Sequence, residues 1–383
     1  MDFSLSDEMK MLQEMSWKFA QQEIAPLSHK HDLEESYTPE IRKKAAENGL
    51  VAAWVSDEYG GAGVGILGNS LIVEQLSRVD MGIGLNVYAA CFGLEAVSIF
   101  GTEEQKKTCL PPCCAGETVW AGAYTEPNAG TDVAGYATRA VRDGDEYVIN
   151  GQKMFITNGT ICDFMLCQCI THPEEKRHRR FSQIIVPADT PGITRNKIKG
   201  KMGIRANDTA DIAFEDVRVP VENLVGGETK GFYQLMRFFD ITRIMVSAQA
   251  LGLAQACLDE SVKYAGERTT FGRPIGTYQI TMQKLTEMAI RIEALRNLVY
   301  KASWSADSDS PDYMLGSMAK YYGGQTAVFC ANAAVEIHGG YGYIDDYKVQ
   351  KWYRDAKILE LYEGTKEAEI LAVGRYLQRQ ASR

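Results

Sequence analysis

DGDEYVINGQKMFITNG, residues 143–159, carries three turn-forming dipeptides within one short stretch: Asp143-Gly144, Asn150-Gly151 and Asn158-Gly159. Such pairs accept the positive φ that tight hairpin turns require. Between them stand Tyr147-Val148-Ile149 and Met154-Phe155-Ile156, runs of strand-favouring residues. Working outward, residues 164–170, Ile184-Ile185-Val186, Ala213-Phe214 and residues 217–219 repeat the signal. The middle of the chain is therefore predicted to be an antiparallel β domain that closes near residues 220–226.

On either side the period changes. Leu5, Met9, Leu12, Met15 and Phe19 recur at helical spacing, and Ser4 followed by Asp7 resembles a helix start. Pro39 opens a second helix over residues 41–50. Residues 66–76 and 83–100 read as two buried helices, and a short helix after Gly101 is predicted to stop at Pro111-Pro112. Beyond Gly231, Leu251, Ala254, Leu258, Val262 and Ala265 form one stripe, and Met282, Leu285, Ala289 and Ile292 another. With residues 311–338 and 366–379 they make a bundle of about four long helices. The expectation is an α+β multidomain chain: residues 1–117 an N-terminal helical domain, 118–226 a middle β domain, and 227–383 a C-terminal helical bundle.

Bulk properties exclude several functions. The chain of 383 residues has 45% hydrophobic and 24% charged residues, as a globular protein does. With 41 basic against 50 acidic side chains its net charge is −9, which argues against nucleic acid as a partner. The basic run Lys176-Arg177-His178-Arg179-Arg180 reads as a solvated loop. No run reaches the roughly 18 consecutive apolar residues of a membrane span. The acidic, amphipathic MDFSLSDEMK start does not resemble a signal or transit peptide. Nine cysteines, without paired metal-ligand spacing, read as free thiols in a reducing, cytoplasmic compartment, with no metal site.

Four stretches suggest chemistry. Tyr124-Thr125-Glu126-Pro127-Asn128-Ala129-Gly130-Thr131-Asp132 is a small-residue loop whose N–H groups a ligand can approach. Arg268-Thr269-Thr270-Phe271-Gly272-Arg273 places two guanidinium groups between bundle helices, suited to a pyrophosphate. Glu336-Ile337-His338-Gly339-Gly340-Tyr341-Gly342 allows close backbone approach but has no preceding strand, so it is not a dinucleotide fingerprint. The fourth, Arg354-Asp355-Ala356-Lys357-Ile358, leads to Leu361-Tyr362-Glu363-Gly364-Thr365, a carboxylate between apolar residues and a glycine.

Taken together, TEPNAGTD, NGQKMFITNG, KMGIRANDT, ERTTFGRPI, HGGYGY and RDAKILELYEGT, in order along the whole chain, resemble the acyl-CoA dehydrogenase family. The resemblance implies a helical, β, helical fold, FAD between the middle and C-terminal domains, and a homotetramer built as a dimer of dimers. It implies that residues 122–131, with Gly122, Tyr124, Thr125, Gly130 and Thr131, face the flavin and the thioester. Phe155, Ile156 and Thr157 would lie against the isoalloxazine. Arg268, Phe271 and Gln279 would reach a neighbouring subunit's FAD, with Glu336, Gly339 and Gly340 near its adenosine diphosphate. Thr365 and Glu367 would sit by the flavin diphosphate, and Asp240 and Arg243 along the CoA channel. Members often carry glutamine where this chain has Glu336 and Glu367, and a carboxylate cannot donate to phosphate.

On this resemblance Glu363 is the general base. It takes the α-proton while a hydride passes from the β-carbon to flavin N5, giving a 2-enoyl-CoA. The thioester oxygen is held by the Glu363 N–H, with Gly364 letting the chain turn, and by a flavin ribityl hydroxyl. Some relatives place the base near FFDITR, but Ile241 and Thr242 there cannot serve. Glutaryl-type members carry an arginine near Gly84 and Leu85, so a dicarboxylate is disfavoured. Bulky Tyr88, Phe92 and Tyr124 favour a short, branched or cyclic acyl group such as cyclohexane-1-carboxyl-CoA. Cys91, at a position where an Asp would supply a second base, favours simple α,β-dehydrogenation. The acceptor implied is an electron-transfer flavoprotein. The competing readings are an enoyl-CoA reductase on the same scaffold, a non-catalytic binding relative and an acyl-CoA oxidase.

Overall fold

The computed structural model describes residues 4–382; residues 1–3 and 383 of the ranges above lie outside the described residues. Seven helices come first: α1 Asp7–Phe19, α2 Ser28–Glu34, α3 Pro39–Glu47, α4 Gly65–Val79, α5 Met81–Tyr88, α6 Leu94–Phe100 and α7 Glu103–Cys114. The cap of α1 is Ser6, not Ser4: its Oγ accepts from Met9 N at 3.2 Å. The single helix predicted over 83–100 is two, broken where Gly93 adopts φ 102° and Cys91 pairs with Trp120. Nor does Pro111-Pro112 stop α7. Both prolines lie inside its last turn, each giving up one N–H bond, and the helix runs on to Cys114.

The β domain is one eight-stranded sheet: β1 Trp120–Ala123, β2 Arg139–Asp143, β3 Glu146–Thr157, β4 Phe164–Ile170, β5 Phe181–Pro187, β6 Ile193–Lys197, β7 Thr209–Pro220 and β8 Leu224–Val225. The order is β6-β7-β3-β2-β4-β5-β8, with β1 on β4. Most pairs are antiparallel, but β1–β4 and the short β2–β4 contact are parallel, so the sheet is mixed. Of the three dipeptides only Asp143-Gly144 makes a hairpin. Asn150-Gly151 stays inside β3 at a register shift, where a Cβ on Gly151 would meet Thr138 Oγ1 at 2.5 Å. The Asn150 amide instead bonds Asp216 on β7 in both directions, at 3.0 and 2.9 Å.

The last third holds α8 Gly231–Glu267, a small hairpin of β9 Thr269–Thr270 and β10 Arg273–Pro274, then α9 Gln279–Ala306, α10 Met314–His338, α11 Val349–Ala356 and α12 Lys366–Ala381. The hairpin was not foreseen. Its tip, Phe271-Gly272, has positive φ at both residues, as a two-residue loop needs. The predicted stripes are partly displaced. Val262, Met282 and Ala289 are exposed; α9 buries Ile292 as predicted, together with Met288, Leu295 and Val299.

The two helical parts share one core, while the β domain has its own. Helix α4 lies so close to α8 that a Cβ on Gly252 would meet Glu74 O at 2.1 Å. A buried polar knot joins all three parts. Lys351 on α11 pairs with Asp80 at 3.1 Å and Asp355 at 2.6 Å, and Asp355 accepts the Ile204 N–H at 2.6 Å. Helix α8 is long and apolar enough to cross a membrane, but it is mostly buried within the protein.

Candidate active site

A small cavity of about 60 Å³ lies where α4, α5, α6, α8, the end of β3 and the segment before α12 meet. Val73, Leu85, Ala89, Phe92 and Val246 give it apolar walls, and Tyr88, Thr157, Thr242 and Glu363 also line it. Glu363 sits in the left-handed region, φ 54°, followed by Gly364 at 103°. Only glycine fits at 364, because a Cβ there would stand 2.0 Å from Glu369 Oε1. Two further contacts fix this bend. Lys320 Nζ donates to Gly364 O at 2.5 Å, and Arg243 Nε lies 3.0 Å from Glu369 Oε1.

The Glu363 carboxyl accepts the Thr242 hydroxyl proton at 2.5 Å. Burial pushes its pKa up, while the Thr242 hydrogen bond, Arg243 and Lys320 oppose the rise. A partly desolvated carboxylate in an apolar cavity is a better base than one in water. Burial also holds the neighbouring Lys320 down to about 8. Tyr362 donates to Gln249, both on the cavity wall.

Thr157, Tyr88 and Glu363 are thus brought together, but other predicted residues are not. Cys91 does not line the cavity; its Sγ faces Tyr88 O at 3.5 Å. Tyr124 is buried behind the wall, edge-on to Phe92 at 6.3 Å. Asp240 pairs with Arg243 at 3.6 Å, and burial raises its pKa to about 6.

Beside the cavity, β3 bulges between Lys153 and Ile156. Phe155 takes φ 61° there and is 65% exposed. Ile156 does not face outward as the resemblance implied. It is buried in the β core because strand side chains alternate, so only its backbone is available to a ligand. The 124–126 segment is tied to β3. Lys153, fully buried, donates to Tyr124 O at 3.0 Å and Gln168 O at 2.8 Å, and pairs with Glu126 at 2.8 Å. Gly122 lies buried in β1, whereas Gly130 and Thr131 are exposed in the loop. Thr125 O accepts from Met154 N at 2.8 Å.

A second, open groove of about 550 Å³ gathers Arg268, Thr270, His338, Gly339, Gly340 and Tyr341. Nothing stands within 4 Å of a Cβ built on Gly339 or Gly340. Glu336 does not line it; its carboxylate pairs with Lys284 and accepts from Asn332. Phe271 and Gln279 are exposed nearby along the chain. Thr365 spends its hydroxyl oxygen capping α12, accepting from Ala368 N at 3.2 Å, and Glu367 is exposed beside Lys366.

Sequence reasoning missed Lys153, Lys320, Thr242 as a partner of the base, and Glu95, which also lines the cavity. Each acts through a residue distant in sequence, and single-chain spacing carries no signal of that. Lys153 at least stood inside the NGQKMFITNG motif.

A helical pair clasping a mixed sheet, with a half-buried carboxyl at a cavity between helices and an exposed aromatic bulge outside, defines a fold seen before. The family models for the N-terminal, middle and C-terminal domains of acyl-CoA dehydrogenases match residues 6–117, 121–217 and 229–378. A probable acyl-CoA dehydrogenase of Bacillus subtilis is 41% identical, covering 98% of this chain and all of its own. An acryloyl-CoA reductase (NADH) of Anaerotignum propionicum is 40% identical, with 98% of this chain and 95% of its own covered. The solved butyryl-CoA dehydrogenase of Megasphaera elsdenii superposes with a TM-score of 0.96 at 37% identity, over 99% of this chain and 100% of that one. The chain belongs to the acyl-CoA dehydrogenase family of FAD-dependent oxidoreductases.

The residues present fit FAD. Phe155 offers an exposed apolar face beside the cavity, and the open Gly339-Gly340 backbone with Arg268 suits a diphosphate.

Proposed function

We propose that this chain dehydrogenates a short acyl-CoA between its α and β carbons, with Glu363 as the base. One observation carries the reading: the Glu363 carboxyl, its pKa raised by burial, is held by Thr242 in a small cavity with apolar walls at Val73, Leu85, Ala89, Phe92 and Val246. The acyl group enters between Tyr88, Phe92 and Val246, and the α-hydrogen is presented to Glu363. The Glu363 N–H, turned by the left-handed backbone, donates to the thioester oxygen and stabilises the developing enolate. Apolar walls exclude water and keep both interactions strong. A bound FAD supplies the oxidant, taking up the two electrons that leave with the β-hydrogen. Thr157 and the Phe155 bulge position the ring edge against the cavity.

The narrow cavity and the likeness to a butyryl-CoA dehydrogenase favour a short acyl group. Branched and cyclic groups, including cyclohexane-1-carboxyl-CoA, are the next tier of the same proposal. An electron-transfer flavoprotein as acceptor, a homotetramer and a cytoplasmic setting complete it, supported by the family resemblance. A second reading is favoured by one relative, named as an acryloyl-CoA reductase: the same cavity run in the reducing direction.

The test is a panel of butyryl, isobutyryl, 2-methylbutyryl, isovaleryl and cyclohexanecarboxyl thioesters with an artificial electron acceptor. Acrylyl-CoA with reduced donors probes the reverse direction. Glu363→Gln is expected to retain flavin absorbance and lose turnover by about 10³-fold or more. Wild-type rates in that variant would overturn the assignment.

A further inference from the structure

The cavity holds a second carboxyl that the proposed chemistry does not use. Glu95 lies in the first turn of α6 and lines the cavity together with Glu363. Its Oε2 accepts the Gly93 N–H at 2.8 Å. Its Oε1 has the Cys91 thiol as a side-chain neighbour, with Sγ at 3.9 Å. No Lys, Arg or His lines the cavity among the described residues. The titratable groups that bear on Glu95 are themselves acids: Glu363 in the same cavity, Cys91, Cys113 on α7, and Tyr124 after β1. Arg243 and Lys320 stand on the far side of the bend, with Glu369 and Gly364. Burial pushes the Glu95 pKa up to about 8, with its own N–H, the Gly93 N–H and the Cys91 thiol opposing the rise and Glu363 adding to it.

A neutral carboxyl has an acceptor oxygen and one O–H donor. Gly93 takes the acceptor. At Oε1 the O–H has only the Cys91 sulfur, a weak acceptor at 3.9 Å, and a buried donor without a good acceptor is costly until something accepts from it. An acyl group that brings an uncharged oxygen removes that cost. A distal carboxylate would add a third acid to a cavity wall without a cation, and is rejected.

We propose that Glu95 is a specificity-determining residue whose protonated carboxyl donates to an uncharged ether, keto or hydroxyl oxygen on the distal part of the acyl group. This rests on the assignment of the cavity to the acyl chain and deepens it. A site built to hydrogen-bond a substrate oxygen discriminates strongly against the hydrocarbon analogue, because the unmatched donor stays buried.

The experiment uses the holoenzyme and two shape-matched thioester pairs. Tetrahydropyran-4-carbonyl-CoA is compared with cyclohexanecarbonyl-CoA, and 4-methoxybutyryl-CoA with hexanoyl-CoA. Wild type is expected to favour the oxygen-bearing member at least tenfold in kcat/KM in one pair or both. Glu95→Leu brings that ratio to within about twofold of unity, while Glu95→Gln, which keeps an N–H donor, retains it. Calorimetric Kd values on Glu363→Gln holoenzyme show the same ratio, which places it in recognition and not in chemistry. A wild-type ratio at or below unity, or an unchanged ratio in Glu95→Leu, overturns the proposal. Butyryl-CoA serves as the control. If it turns over and the ratios are flat, Glu95 alone is misassigned. If no thioester reacts in either direction, the acyl-cavity reading falls and this proposal with it.

Discussion

At the scale of single residues, the base is governed by what touches its carboxyl. Glu363 acts deprotonated, and burial lifts its pKa above the ordinary 4.5. Activity therefore rises with pH through a limb above the usual carboxylate range. The Thr242 hydroxyl donates to the charged form and so lowers that limb. Thr242→Val removes the donor, so the pKa rises further and the limb moves to higher pH. The loss in kcat/KM is then larger near pH 6 than near pH 9, about tenfold for each unit the limb moves. A pH profile of kcat/KM checks this; a limb that stays in place while the rate falls uniformly would assign Thr242 a packing role only. Glu363 itself was legible from sequence, because an acidic residue between Tyr362 and Gly364 stood inside a family motif. Thr242 was read there only as a residue unable to act as a base. Its value lies in reaching a carboxyl 121 positions away, a distance only the folded chain closes.

At the scale of elements, strand β3 sets the site through its irregularities. The sequence announced turns at Asn150-Gly151 and Asn158-Gly159, but β3 runs straight through the first and ends at the second. Turn dipeptides report tolerance of positive φ, and a bulge uses that tolerance as well as a hairpin does. The bulge before Ile156 throws Phe155 outward while Ile156 stays in the core. What holds the facing loop to this strand is Lys153, whose three oxygen partners and position over the Tyr136 ring leave its charge compensated though buried. Lys153→Met strands Glu126 without its cation. Removing one partner of a buried pair costs about 3–5 kcal/mol, more than replacing both. The variant is expected to lose several degrees in Tm and to retain flavin poorly, because residues 124–126 then keep only the Met154 N–H to Thr125 O bond to β3. Lys153→Met with Glu126→Gln recovers part of the loss. Equal melting of single variant and wild type would show that the pair contributes nothing net.

At the scale of the whole molecule, three-part organisation was readable because the hydrophobic period switches twice along the chain. That the outer two parts share one core was not, since periodicity says which face is buried and not against what. The same limit explains the misplaced part of the α9 stripe: Met282, Leu285, Ala289 and Ile292 keep helical register, yet Met282 is 48% exposed and only Ile292 is buried. Exposed apolar side chains concentrate on the segments framing the open groove. Phe271 at the β9–β10 tip is 94% exposed, Tyr343 after α10 86%, and Ile280 at the start of α9 72%. Apolar surface of this kind marks an association site, and the groove beside it holds Arg268 and the Gly339-Gly340 backbone. Assembly and flavin retention are therefore expected to be linked. Sedimentation of the wild-type protein is expected to give four times the 42.5 kDa chain mass. Phe271→Asp replaces the most exposed aromatic ring with a charge and is expected to lower the mass. It leaves secondary structure intact, since the ring makes no core contact, yet releases FAD on dilution. A smaller assembly that holds FAD as tightly as wild type would separate the two functions and place the whole cofactor site within one subunit. A wild-type monomer would remove the argument for assembly altogether.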